Sequence, residues 1–147
     1  MIRISIAIAT LLASCAALAQ TSPIGLWKSF DEQTGKPKAL IRIAETNGEF
    51  KGKIEKVFSP NGEEEQDRKC VKCEGIEKDQ PIVGMTILTG LKQDGDEYNG
   101  GHILDPANGK TYNSKMTLVE GGKKLSVRGY VMGMSFLGRS QTWTREE

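Results

Sequence analysis

After residue 20 no stretch of this chain repeats apolar residues at helical spacing over three turns; short runs that alternate apolar and polar residues recur instead, each closed by turn chemistry. Eight such runs are read, at residues 25–31, 39–45, 49–58, 83–92, 97–104, 111–119, 125–132 and 138–145. The segments QTGKP, TNGE, QDGD, DPANGK and EGGK lie between runs, and Asn47-Gly48 in TNGE supplies the two positive-φ residues of a tight hairpin. Strands joined by hairpin-length connections predict an up-and-down antiparallel meander. An open meander leaves two edges free to pair with other chains, and closure into a barrel removes them. Gly52, Gly90, Gly100, Gly101 and Gly129 fall inside the runs, where a small barrel needs bends and close backbone approach. The expected fold is therefore all-β: an eight-stranded antiparallel up-and-down barrel with a long loop between the third and fourth strands. An open sheet or sandwich is the rival.

The first run carries a large residue that a lone terminal strand cannot bury. Trp27, in Gly25-Leu26-Trp27, needs a cover, because apolar surface is worth about 25 cal/mol per Å² only when it leaves water. In a closed barrel the first and last strands are neighbours. The cover is then the base of the barrel plus an arginine from GRSQTWTRE, either Arg139 or Arg145, stacked on the indole.

Upstream, residues 1–19 read as a secretory signal peptide. Arg3 precedes an apolar run, and Ala17-Leu18-Ala19 has the small-x-small form of a cleavage site. The run is too short for a permanent membrane span, which takes about 20 apolar residues. Residues 20–147 form the mature single domain, periplasmic or secreted, and long enough to bury a real core. Leu12-Ala13-Ser14-Cys15 offers a second reading, a domain tethered by a lipid on Cys15. The whole chain has a formal charge of +1, which becomes 0 once Arg3 leaves with the leader, so no basic excess points to nucleic acid or an anionic membrane.

Export favours reading Cys70 and Cys73 as a disulfide that ties the long loop. Three chemical readings compete with it. A thioredoxin-like centre needs a strand-to-helix context, absent around SPNGEEEQDRKCVKCEG; structural zinc needs four ligands; haem attachment needs His where Glu74 stands. Catalysis finds little else. His102 is the only histidine, so no Cys/His pair can form, and Asp105, Lys110 and Tyr112 sit in DPANGKTY, a segment whose Asp-Pro and Asn-Gly are turn chemistry. The acidic run Glu63, Glu64, Glu65 and Asp67 lacks the ligand spacing of a calcium loop. Met132 and Met134 are soft thioethers that suit copper(I), although methionine more often fills gaps. No cofactor is assigned.

The Gly-x-Trp with a last-strand arginine resembles the lipocalin and wider calycin arrangement. More specifically, PIGLWKSFDEQTGKPKALIRI, CVKCEG, PIVGMTIL, ILDPANGKTY, VRGY and GRSQTWTR follow one another as in domain-of-unknown-function family 2147, a group of small secreted bacterial proteins. The resemblance runs from about Pro23 to Arg145. It implies a lipocalin-like barrel and an envelope location, and it transfers no catalytic residues.

A barrel of eight strands either fills with side chains or holds one small ligand. The alternation places Tyr98, His102 and Leu104 on one strand face and Tyr112, Ser114, Met116 and Leu118 on another. Pointing inward, they would line an apolar cavity with a few polar groups to orient a guest. Tyr98, His102, Tyr112, Ser114, Met116 and Leu118 are the candidate ligand residues. The expected function is non-enzymatic binding of a small, mainly apolar molecule; the alternative is a filled barrel that engages another envelope protein.

Overall fold

The computed structural model describes residues 22–131 and 133–147, without the side chain at 135. The leader, its cleavage site, Cys15 and Met132 lie outside the described residues. Nine strands follow in order: β1 (Gly25–Phe30), β2 (Pro37–Thr46), β3 (Glu49–Phe58), β4 (Glu64–Glu65), β5 (Thr86–Asp94), β6 (Glu97–Asp105), β7 (Lys110–Val119), β8 (Lys124–Val131) and β9 (Met134–Arg145). All pairings between them are antiparallel. The sheet runs β2-β1-β9-β8-β7-β6-β5-β3-β4, and β2 also pairs with β3, so eight strands close into a barrel. The ninth, β4, is a two-residue flap against the end of β3.

The eight expected runs correspond to the eight barrel strands, with shifted ends. The fourth expected run starts at residue 83, but β5 starts at Thr86, because Pro81 and the positive φ of Gly84 keep that segment out of the ladder. The last starts at residue 138, but β9 reaches back to Met134 and lengthens the β8–β9 hairpin. Thr46 pairs with Glu49 around Asn47-Gly48, both at positive φ, as the sequence motif requires.

Closure rests on Trp27 pairing with Arg145. The indole is fully buried, and its Nε1 donates to the Pro23 carbonyl at 2.8 Å. The Arg145 guanidinium carbon lies 4.3 Å from the ring centroid. Its nitrogens donate to the carbonyls of Gly122 (2.7 Å), Ile24 (2.9 Å) and Ser22 (2.6 Å), tying the N-terminal segment and the β7–β8 turn to the last strand. Arg145 is the stacking arginine. Arg139 stands midway along β9, in an ion pair with Glu32 at 3.2 Å.

Above this plug the lower half of the barrel is solid. Ile43, Phe50, Leu91, Tyr98, Met116 and Leu125 are all buried, with the Phe50 and Tyr98 rings edge to face at 4.9 Å. Burial pushes the Tyr98 hydroxyl above its ordinary value, and the Glu45 carboxylate adds to the shift.

Candidate functional site

The upper half is hollow. A cavity of about 860 Å³ opens at the end that carries the β1–β2 turn, the long β3–β5 loop, the β6–β7 turn and the β8–β9 hairpin. Its depth is set by Ile41, Ile54, Val127 and Trp143, beneath which the packed layers begin. Higher up the wall stand Ala39, Val57, Ile87 and Ile103, with the half-buried Tyr112. These are inward positions of strands whose alternate residues turn outward, which is why 37–46 reads half-buried and buried in turn around Ala39, Ile41 and Ile43.

The six candidate ligand residues separate into four places. Tyr112 lines the cavity, and its hydroxyl accepts from Asn108 Nδ2 at 2.9 Å. Tyr98 and Met116 belong to the packed lower half, and Leu118 packs against that core. Ser114 is wholly buried in the wall, its hydroxyl without a hydrogen-bond partner among the described residues. His102 is exposed on the outer face. The parity of β6 changes between Tyr98 and Gly101, where the β6–β7 register slips and Gly100 takes φ 74. A bulge of that kind reverses every later side chain, so Gly101 and Ile103 turn inward and His102 turns out.

The long loop is built as a clasp over one side of the mouth. Cys70 and Cys73 are bonded to each other and buried. The Cys70 amide donates to Gln80 O at 2.8 Å, the Asp79 amide to Cys70 O at 3.0 Å, and the Ile82 amide to Arg68 O at 2.9 Å, so residues 68–70 lie against 79–82. This hairpin rests on the β6–β7 turn. The Cys70 sulfur is 3.6 Å from Pro106 O, and a Cβ added at Gly109 would meet Lys72 O at 1.8 Å. Only glycine, at φ 74, permits that approach.

The residues that looked chemical in DPANGKTY build the turn. Asp105 Oδ1 accepts from the Ala107 amide (2.9 Å), Asp105 O from the Gly109 amide (2.7 Å) and Asn108 Oδ1 from the Lys110 amide (2.9 Å). In the acidic run, Glu64 pairs with Lys56 at 3.2 Å and Glu65 with Arg68 at 2.5 Å.

Sequence reasoning missed the rim. Lys38, Arg68, Lys69, Lys72 and Arg139 line the cavity together with the carboxylate of Asp105. The available signal was the basic flanking of the cysteines in RKCVKC, which places Lys69 and Lys72 wherever the disulfide sits.

Residues 25–145 match the family described as "Uncharacterized protein conserved in bacteria (DUF2147)". No curated protein matches the chain. Among solved structures, the chain is similar to that described as "Protein HP1028 from the human pathogen Helicobacter pylori belongs to the lipocalin family". The two superpose with a TM-score of 0.73 at 18% identity, over 87% of this chain and 85% of that one. At that identity the likeness concerns the fold.

Proposed function

Because the chain belongs to the bacterial family DUF2147 and its barrel is lipocalin-like, we propose that it is a non-enzymatic binding protein of the cell envelope that reversibly holds a small, mainly apolar molecule. The observation that carries this reading is the half-hollow barrel: a cavity of about 860 Å³ with aliphatic and aromatic walls above a solid base. Volumes of about 300–1,000 Å³ with such walls and few polar groups suit one small ligand. Enclosing about 300 Å² of apolar ligand surface is worth about 7 kcal/mol before the entropic cost of association. Export is supported by the signal-like residues 1–19 and by a disulfide at Cys70–Cys73, which persists in oxidising compartments.

The test is a titration of the purified protein with fatty acids, isoprenoids and other apolar envelope compounds, followed by Trp143 emission, since this indole lines the cavity. Saturable binding is expected, and Ala39→Phe, which pushes a ring into the wall, should weaken it at least tenfold while His102→Ala on the outer face leaves it unchanged. Absence of saturable binding across the panel, in protein that melts cooperatively, would overturn the reading.

A second role is favoured by one observation. Phe136 is 77% and Leu137 48% exposed on the β8–β9 hairpin, an apolar surface of the kind that envelope partners cover.

A further inference from the structure

We infer that the ligand is a single-chain amphiphile with an anionic head group, its tail in the barrel and its head among the lysines of the rim. The inference rests on the binding function proposed above and deepens it. The whole chain is almost neutral, with 20 basic and 19 acidic residues, yet the charged residues lining the cavity are five cations, Lys38, Arg68, Lys69, Lys72 and Arg139, against the single carboxylate of Asp105. The imbalance is local to the mouth.

The pairing state of these groups sharpens the point. Arg68 and Arg139 are neutralised by Glu65 and Glu32. Lys38, Lys69 and Lys72 have no ion pair among the described residues. The carboxylate whose field Lys38 does reach, that of Asp31, is held by the Gln33 and Thr34 amides at 2.9 and 2.8 Å, which lower its pKa. Asp105 is likewise engaged by its own turn. Three lysines without an ion pair among the described residues therefore border a cavity whose one carboxylate is already bonded elsewhere.

Lys69 and Lys72 are exposed, but their placement ties them to the rim. Lys69 and Lys72 flank a buried disulfide in a loop pinned to the β6–β7 turn at Gly109, so their backbone is fixed at the rim. Lys38 is half-buried at the start of β2, next to Ala39 of the wall. Below them the wall is mainly apolar down to Trp143 and Ile41, with Tyr112 and Gln141 as its polar members. A long neutral hydrocarbon would leave the cations unanswered, and a compact anion would leave the apolar walls wet. A carboxylate or phosphate on one alkyl chain satisfies both, since an ionised acceptor makes the stronger, charge-assisted hydrogen bonds with ammonium donors.

The experiment compares four probes of equal chain length on the full protein at pH 8, below their aggregation concentrations: dodecanoate, dodecyl phosphate, dodecanol and dodecyltrimethylammonium. Calorimetry and Trp143 emission report the affinity. One or both anions should bind about tenfold or more tighter than the alcohol, and the cation weakest, with the gap narrowing as salt screens the rim. The carboxylate and phosphate arms tell the two head groups apart. In the Lys38→Gln, Lys69→Gln, Lys72→Gln triple variant, whose substitutions are at the rim and not in the core, the anions should fall to the alcohol's affinity while the alcohol is unaffected. Equal binding of alcohol and anions, or an anion preference that survives the triple substitution, would overturn the head-group assignment and leave apolar binding standing. Failure of all four probes to bind would count against the binding function itself, and the head-group assignment would fall with it.

Discussion

Removing the Arg145 guanidinium should open the barrel at its base, and the structure gives the size of the effect. The group donates to four backbone carbonyls, on Gly122, Ile24, Ser22 and, at 3.4 Å, Glu147, and covers the Trp27 indole at 4.3 Å. A hydrogen bond from a charged donor contributes about 1.5–3 kcal/mol when the acceptor is shielded. Here the site is partly exposed, so water replaces much of what is lost, and the four bonds together are worth about 1–2 kcal/mol. The stacked cation adds about 0.5–2 kcal/mol. Arg145→Ala is therefore expected to cost about 1.5–4 kcal/mol out of a typical 5–15 kcal/mol.

Trp27→Ala should cost about 3–5 kcal/mol, the usual loss for a large buried aromatic. The two residues share one contact, so the losses should not add. A double-mutant cycle with Arg145→Met and Trp27→Leu, which keep bulk and remove the cation and the ring, isolates the stacking contribution at about 0.5–2 kcal/mol. Urea unfolding read by far-ultraviolet circular dichroism supplies the four free energies, with unchanged m-values as the check on two-state behaviour. A coupling energy of zero, or an Arg145→Ala midpoint equal to that of the parent, would refute the claim that the arginine closes the base.

Two further outcomes follow from buried polar groups. The Ser114 hydroxyl is buried without a hydrogen-bond partner among the described residues, so Ser114→Ala should raise stability by about 1 kcal/mol; a loss of that size would show that the hydroxyl is engaged. Burial and then Glu45 raise the Tyr98 pKa, so the unfolded chain releases that proton first. Stability should hold below the unfolded tyrosine value of about 10 and fall as pH rises above it, a decline that Tyr98→Phe makes shallower in thermal melts, and an unaltered decline would contradict the assignment.

What the residues disclose about this fold follows from which forces are local. Alternation in 37–46 and the Asn47-Gly48 turn announce their strands because side-chain period and turn geometry are properties of a few adjacent residues. Trp27 on the first strand already demands a cover, and barrel closure identifies it as Arg145. The site was harder. In β6 the residues Asn99-Gly100-Gly101-His102 do not say where the ladder will slip, and one slip turned His102 from the expected interior to solvent. On β7, with no slip in its pairing to β8, alternation groups Tyr112, Ser114 and Met116 on one face but says nothing of depth: Tyr112 reaches the cavity while Met116 lies in the solid half. The depth of the floor depends on how Ile41, Val127, Trp143 and their neighbours pack across the barrel, contacts between residues far apart in sequence. The rim belongs to the same class, since Lys38 and Lys72 share a mouth only after closure.

The clasp between the long loop and the β6–β7 turn links stability to the mouth, and two glycines separate the contributions. Gly109 and Gly95 both sit in hairpin turns at similar positive φ, 74 and 64. A Cβ at Gly95 meets nothing within 4 Å, so Gly95→Ala should cost only the left-handed backbone, about 1 kcal/mol. A Cβ at Gly109 would sit 1.8 Å from Lys72 O and 2.8 Å from Cys73 N, backbone atoms of a disulfide-closed loop that cannot step aside locally. Gly109→Ala must therefore push the loop off the turn, with a total loss of about 2–4 kcal/mol from backbone strain and overpacking together. Hydrogen exchange distinguishes the two. In Gly109→Ala the amides of Cys70, Asp79 and Ile82 should lose protection, because the loop that carries them loses its support, while amides of the β1–β9 base keep theirs. Displacing Lys69 and Lys72 should also weaken any ligand whose affinity depends on the rim, whereas Gly95→Ala leaves that affinity unchanged. Equal losses of stability in the two variants, with the loop amides still protected in Gly109→Ala, would mean that the clasp does not bear on the mouth.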